Sequence, residues 1–443
     1  MKSSALARRP KREHARNGRA PRGARRQARA DFLAPFAPLL QQIEATRHQD
    51  LYPFFSADRD SAPDGRPVVL VANDYLGLSA DPRVRDAARE AIARFGTSRC
   101  ASPLAGGQTT LHQTLATRLA AFLNQEAAAL FASGYQANVG VISALVRNDD
   151  LILTDLFNHA SIVDGARLSG AQVRHFQHNS ATHLERILSQ EPSGRRVLVI
   201  VEGVYSADGD IGDLPDICAV AHAHGALVMV DEAHSFGVLG ASGAGAAEHF
   251  DLLDDVDLIV GTMSKSLASV GGFVAADQNL VDAIAHSARA LIFSAALPPA
   301  GAAAALAALE ILRREPERRE RLWRNAGAFL TGLAAAGLDT MNSVTPVIPI
   351  LVGDPARTIE LTARLRARGI HICPAIPPMV PAHLSRVRAH VTAAHETADL
   401  DAAVQTIAAV GGPLGLPRVQ PTARVPRARL QATAPRRTAA LPA

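Results

Sequence analysis

Short apolar runs alternate with helical patterns through the first two-thirds of the chain. Runs at residues 128–132, 151–154, 173–176, 196–201, 226–230 and 257–261 read as strands. Several are apolar throughout, the mark of strands buried on both faces. Between them, Leu111, Leu115, Leu119 and Phe122 fall on one helical face, and Thr182, Leu184, Ile187 and Leu188 on another. Strands alternating with helices predict an α/β fold with a mostly parallel sheet covered by helices. Ligands of such sheets bind at the carboxyl ends of strands. Polar residues cluster at those ends: Asp231, Glu232 and His234 follow "ALVMV", Ser206 follows "VLVIVEGVY", and Thr262 to Lys265 follow "DLIVG".

After Leu297-Pro298-Pro299 the pattern changes. A long Ala/Leu-rich helical stretch is followed by a strand at 347–352, a helix at 356–368, an extended run at 370–373 and a last helix from about Asp399. The organisation this predicts is a basic disordered segment (1–35), an arm (36–75), a large domain (76–297), a smaller α+β domain (298–412) and a Pro/Arg/Ala-rich disordered tail (413–443).

Charge sharpens this picture. The chain carries a formal net charge of +4 over 443 residues. Residues 1–30 hold eleven Lys/Arg against one acid, and residues 418–443 hold six Arg and no acid, so the rest carries about −12. The basicity lies in the ends, and no dedicated nucleic-acid role is expected. The first thirty residues lack the apolar core of a secretory signal. No apolar run approaches the roughly 18–20 residues needed to span a bilayer. Cys100, Cys218 and Cys373 are few, odd in number and widely spaced. They form neither a disulfide framework nor a metal site, and predict a reducing, cytoplasmic setting.

Four segments carry candidate chemistry. In "DLIVGTMSKSLASVGGFVA", Lys265 stands just past an apolar strand among small hydroxyl residues. A lysine that forms a Schiff base with an aldehyde cofactor needs a fixed backbone, small neighbours and hydroxyls for a phosphate. Alone, the same pattern suits a surface lysine in a Ser/Gly loop. In "ALVMVDEAHSFGVLG", Asp231 ends a buried strand, where it can pair with the pyridinium nitrogen of pyridoxal 5′-phosphate (PLP); a helix cap or a metal ligand would also fit. His234 can reach the same pocket. "FASGYQAN" reads as a strand–turn–helix junction, with Ser133 and the main-chain N–H groups of Gly134 and Tyr135 facing a phosphate at a helix N-terminus. "DLFNHASIVDG" sets His159 at the start of a helix, as a cap or as a ring stacked on a pyridine.

With these segments in order, the chain resembles the α-oxoamine synthases, a branch of the fold-type I PLP enzymes. The likeness runs from "NDYLGL" at Asn73 to "RVRAHVTAAH" at His395. It implies that Lys265 holds the cofactor, that Asp231 pairs with its ring nitrogen, and that His234 and Ser206 lie near its phenolic oxygen. By the same resemblance His159 stacks on the ring, and Gly134, Tyr135, Thr262 and Ser264 attend the phosphate. Asn73 lies near the substrate, and Arg388 grips the amino-acid carboxylate. The implied reaction condenses Gly, Ala or Ser with an acyl thioester, on CoA or an acyl carrier protein, with loss of carbon dioxide. The implied assembly is a homodimer.

"TMSKSLASVGGF", "EGVYSADGDIGDL", "VDEAHSFG" and "IFSAALPP" look closest to the serine palmitoyltransferase branch, with 8-amino-7-oxononanoate synthase the alternative. An aminotransferase would use the same Lys and Asp. A non-catalytic subunit typically lacks the lysine, which is present here. The family's glycine-rich loop is altered: "GTSRCASPLAGG" has Ser98, Ala101 and Pro103 in place of Gly, Gly and Arg. Ala295 replaces a phosphate-contacting Thr, and Met379 also departs from the Thr of the oxononanoate synthases. These changes predict an altered substrate rather than lost catalysis.

Overall fold

The protein is described by a computed structural model covering residues 22–49, 51–54 and 67–419. The chain divides into two compact units at residues 54 and 55. The first holds the helices Arg22–Leu33 and Ala37–His48, joined by a 3-10 turn at Ala34–Phe36. Composition predicts disorder over 1–35, yet 22–33 is helical. Ala, Arg, Gln and Leu are strong helix formers, and residues 25–33 are exposed, so local propensity accounts for the helix. Residues 1–21 lie outside the described residues.

Among the described residues, the second unit contains twelve strands: β1 (Val68–Val69), β2 (Ala127–Phe131), β3 (Leu151–Asp155), β4 (Gln172–Phe176), β5 (Val197–Glu202), β6 (Leu227–Asp231), β7 (Leu258–Thr262), β8 (Gly272–Ala276), β9 (Val347–Leu351), β10 (Ile370–His371), β11 (Cys373–Ala375) and β12 (Arg386–His390). Seven form one sheet in the order β2-β8-β7-β6-β5-β3-β4. All its pairings are parallel except those made by β8, which runs antiparallel to β2 and β7. The six strands read from the sequence all form, within a residue or two. The fold is thus α/β with a mostly parallel sheet.

The strands are apolar on both faces because both are covered. In β5, Val197, Val199 and Val201 enter one core cluster while Leu198 and Ile200 enter another. β6 does the same with Val228 and Val230 against Met229, as a two-residue side-chain period requires. β8 was not anticipated: "GGFVA" reads as a Gly-rich loop, but Phe273 and Val274 are fully buried on opposite sides.

A second sheet, in the order β11-β12-β9, is antiparallel. Its core gathers Ile348, Ile350, Val387 and Ala389 with Phe329, Leu361 and Ile407 from the helices Glu317–Ala335, Pro355–Arg366 and Thr397–Gly411. The run at 370–373 is two strands rather than one, because β10 pairs with β1 while β11 pairs with β12. Residues 413–419 are ordered, contrary to the disorder predicted from 413 onward. Leu416 is buried against Gly411, and Arg418 bridges Leu338. Residues 420–443 lie outside the described residues.

Candidate active site

At the carboxyl ends of β5, β6 and β7 the sheet opens into a cavity of about 290 Å³. Lys265 and Asp231 both line it, with Ser133, Gly134, Tyr135, His159, His234, Thr262 and Ser264. Nine of the twelve residues singled out in the sequence therefore face one space. Asn73, Ser206 and Arg388 are not part of that lining. The Arg388 guanidinium donates to the Ser206 carbonyl at 2.6 Å, so these two sit together beside it.

Lys265 lies in a loop closed on itself. The Met263 N–H donates to the Gly271 carbonyl and the Ser269 N–H to the Met263 carbonyl, each at 2.9 Å. Gly271 has φ of 149° and lies against Met263, where a Cβ would come within 2.7 Å of the sulfur. Burial pushes the Lys265 amine down to about 8 from its ordinary 10.5, and Arg388 adds to this. The nearby Asp231 and Glu202 carboxylates oppose the shift without cancelling it.

Asp231 is 4% exposed at the end of β6. One carboxylate oxygen accepts from the Asn138 amide at 2.7 Å, the other from the Ala233 N–H at 2.9 Å. Beside it in register stands Glu202, the last residue of β5. Burial, together with the charge of Asp231, drives the Glu202 carboxyl well above its usual range. Glu202 accepts from the His159 N–H at 2.5 Å, fixing the turn that presents His159.

His159 caps the helix Ala160–Ser169, and its Nδ1 lies 2.8 Å from the Ser161 hydroxyl. Burial lowers its basicity, an effect reinforced by Lys265 and Arg388 and opposed by Asp231. His234 is lowered well below 6.5 by burial, then by Lys265 and Arg388. Its Nδ1 sits 2.7 Å from the Tyr75 hydroxyl. Burial raises the Tyr75 phenol, which therefore keeps its proton.

The far end of the cavity suits a phosphate. Ser133 caps the helix Gly134–Leu145, accepting from the Gln136 N–H at 3.2 Å. The helix N-terminus directs N–H groups and positive dipole toward the cavity. Across from it, the Thr262 and Ser264 hydroxyls lie 2.8 Å apart. A Cβ on Gly134 would lie 2.8 Å from the Thr262 Cβ, so only glycine lets helix and strand approach so closely. A shielded amine of lowered basicity, a buried carboxylate and a hydroxyl-lined helix terminus together fit PLP.

Sequence reading missed Asn138, Ser161, Glu202, Tyr75 and His390. Glu202 carried a readable signal, an acid ending an apolar strand. Asn138 stood inside a quoted segment but gave no sign that it would reach Asp231. The altered loop and Ala295 prove to be neighbours, since the Ala296 N–H donates to the Ala101 carbonyl at 2.9 Å.

The aminotransferase class I and II family matches residues 66–407. An 8-amino-7-oxononanoate synthase of Geobacter sulfurreducens is 42% identical over 383 residues, covering 85% of this chain and 98% of that protein. A serine palmitoyltransferase of Sphingobacterium spiritivorum is 39% identical over 374 residues, covering 83% and 94%. Among solved structures, a serine palmitoyltransferase from S. paucimobilis with a bound PLP-myriocin aldimine superposes with a TM-score of 0.83 at 32% identity, covering 86% of this chain and 99% of that one.

Proposed function

The chain belongs to the aminotransferase class I and II family, in its α-oxoamine synthase branch, and from that premise we propose that it is a PLP-dependent C-acyltransferase. It condenses a small amino acid with an acyl thioester, releasing carbon dioxide and the free thiol and leaving an α-amino ketone. The observation that carries this reading is the shared cavity of Lys265 and Asp231.

When bound, the cofactor supplies an aldehyde for the amines and a ring that accepts the electron pair left on Cα. Lys265 would hold the aldehyde and Asp231 the ring nitrogen, whose protonation its charge favours. His159 would cover one ring face. The N–H groups of Gly134 and Tyr135, with the Ser133, Thr262 and Ser264 hydroxyls, would hold the phosphate. His234, neutral and held by Tyr75, would lie with Ser206 near the phenolic oxygen of the ring. Arg388 would bind the amino-acid carboxylate as a guanidinium does well, with Asn73 alongside. The Lys265 amine, at about 8, is partly neutral near physiological pH and can take the Cα proton on Nζ.

Two names among the relatives divide the substrate reading between a serine palmitoyltransferase-like reaction and that of 8-amino-7-oxononanoate synthase. The acyl carrier is CoA or an acyl carrier protein. We place the enzyme in the cytoplasm, because its three cysteines are free and Cys100 is exposed, which suits a reducing compartment. No helix of the described residues is long and apolar enough to cross a membrane. A homodimer is favoured by large apolar side chains left exposed at Leu104, Leu156, Phe157 and Phe293, which a second copy would cover.

The test titrates purified holoenzyme with glycine, alanine and serine, following the cofactor band near ~420 nm, then adds acyl-CoA or acyl carrier protein. Carbon dioxide and free thiol should appear in equal amounts. Transfer of the amino group to a keto acid, without carbon dioxide, would make it an aminotransferase instead.

A further inference from the structure

Along β12 the side chains alternate. Val387 and Ala389 enter the core of the second sheet, so Arg386, Arg388 and His390 share the opposite face. Each of these three meets the large-sheet side of the unit. Arg386 bonds Asp208, Arg388 bonds the Ser206 carbonyl, and the His390 ring lies nearly parallel to that of His234, with centroids 6.3 Å apart and planes at 22°. Tyr75 stands edge-on to both imidazoles.

His390 is 1% exposed; its ring turns toward the Val71 carbonyl, and no other group of the described residues meets its two nitrogens. The Asn73 Oδ1 and the Arg388 Nε are buried and unpartnered. Asn73 and His390 belong to segments laced together, since the His390 N–H donates to the Leu70 carbonyl at 2.8 Å and the Ala393 N–H to the Tyr75 carbonyl at 2.7 Å. Buried polar groups are nearly always satisfied. Three such side chains, each with a buried polar atom left open, mark the place of a polar ligand.

We propose that His390 is a specificity-determining residue of the amino-acid subsite, using its open ring nitrogen to bind the side-chain hydroxyl of a β-hydroxy amino acid such as serine. The inference rests on the function proposed above and on Arg388 as the carboxylate anchor. Residues two apart on a strand lie about 6.6 Å apart, so an amino acid held at Arg388 brings its β-substituent within reach of His390. Burial, with Arg388 and Lys265 nearby, holds the His390 imidazole well below 6.5 and therefore neutral, while the Val71 carbonyl opposes this weakly. A neutral imidazole has one donor and one acceptor; with the donor turned to Val71, the acceptor nitrogen is open to a hydroxyl. Glycine and alanine leave that nitrogen unmet.

The experiment compares dissociation constants of L-serine, L-alanine and glycine for the holoenzyme and for its His390→Phe and His390→Gln variants, read from the cofactor absorbance. The wild-type enzyme should bind serine about tenfold more tightly than alanine, the effect of one well-made hydrogen bond. His390→Phe should reduce that ratio to about twofold or less, and His390→Gln, which keeps a donor and an acceptor, should retain part of it. A merely structural role would weaken all three amino acids together. Equal binding of serine and alanine by the wild type, or an unchanged ratio in His390→Phe with intact cofactor absorbance, would overturn this assignment and leave the proposed reaction standing. If no amino acid perturbs the cofactor of the wild-type enzyme, the reaction itself is wrong and the assignment falls with it.

Discussion

The side-chain amide of Asn138 donates to the Asp231 carboxylate at 2.7 Å and to the Ser161 hydroxyl at 2.9 Å. Asn138 comes from the helix that opens at Gly134, so the element that would hold the phosphate also fixes the acid that would hold the ring nitrogen. Asn138→Ala would remove one of the two bonds that orient Asp231. A hydrogen bond to a charged group contributes about 1.5–3 kcal/mol. The variant should bind PLP roughly tenfold more weakly or worse, measured by absorbance titration of the apoenzyme. PLP affinity equal to that of the parent would show that Asp231 needs no such support.

Lys265 gives a prediction in pH. An ordinary lysine amine becomes half neutral only near 10.5; burial brings this one to about 8. Only the neutral amine attacks an aldehyde. The rate at which apoenzyme takes up PLP should therefore rise with pH and level off above about 8. An increase continuing to pH 10 would mean that the amine is not shielded. Borohydride reduction followed by peptide mapping should place the trapped adduct on Lys265 and on no other lysine.

The parallel sheet was legible because its signal is local. Apolar runs such as "VLVIV" and "LIVGT" carry their burial in their composition, and the rule that ligands bind at strand ends then directed attention to Asp231, His234 and Lys265. What escaped depends on contacts remote in sequence. β8 hides among glycines because its burial is set by β2 and β7, which flank it. His390 has no helical or strand-end signature, and only the alternation of β12 against a core built from three distant helices turns it toward His234. Asn138 and Tyr75 are ordinary residues until the fold brings Asp231 and His234 to them.

His178 is held between two acids, its Nδ1 3.0 Å from Asp155 and its Nε2 2.8 Å from Asp210, with its ring stacked on Phe157. Burial alone would lower its basicity, but the bonds and charges of Asp155 and Asp210 outweigh it and raise the imidazole to about 10. The folded state therefore holds this proton more tightly than the unfolded chain does. That stabilisation is complete below about pH 6.5 and is lost as pH climbs toward about 10, a change of order 5 kcal/mol. The urea midpoint of the protein should fall across that window, and His178→Gln should both lower it at pH 6.5 and flatten its decline. A midpoint in His178→Gln that follows the parental pH dependence would assign the decline to other groups.

Arg386 ties β12 to the loop after β5. Its guanidinium donates to Asp208 at 2.7 Å and to the Ala207 carbonyl at 3.2 Å, while Nε donates to the Leu384 carbonyl at 2.8 Å. The residue is 1% exposed, so Asp208→Ala would strand a buried cation, at a cost of about 3–5 kcal/mol. Arg386→Met made in the same chain removes the stranded charge, and the double variant should recover part of the loss, a sub-additive cycle in urea unfolding. The same tether sets the spacing between Arg388 and the Ser206 carbonyl it grips. Asp208→Ala should therefore raise the amino-acid KM several-fold more than it lowers kcat, because it loosens the anchor of the substrate and leaves Lys265 and Asp231 in place. Equal effects on both constants would mean that the loop and the cofactor site move together.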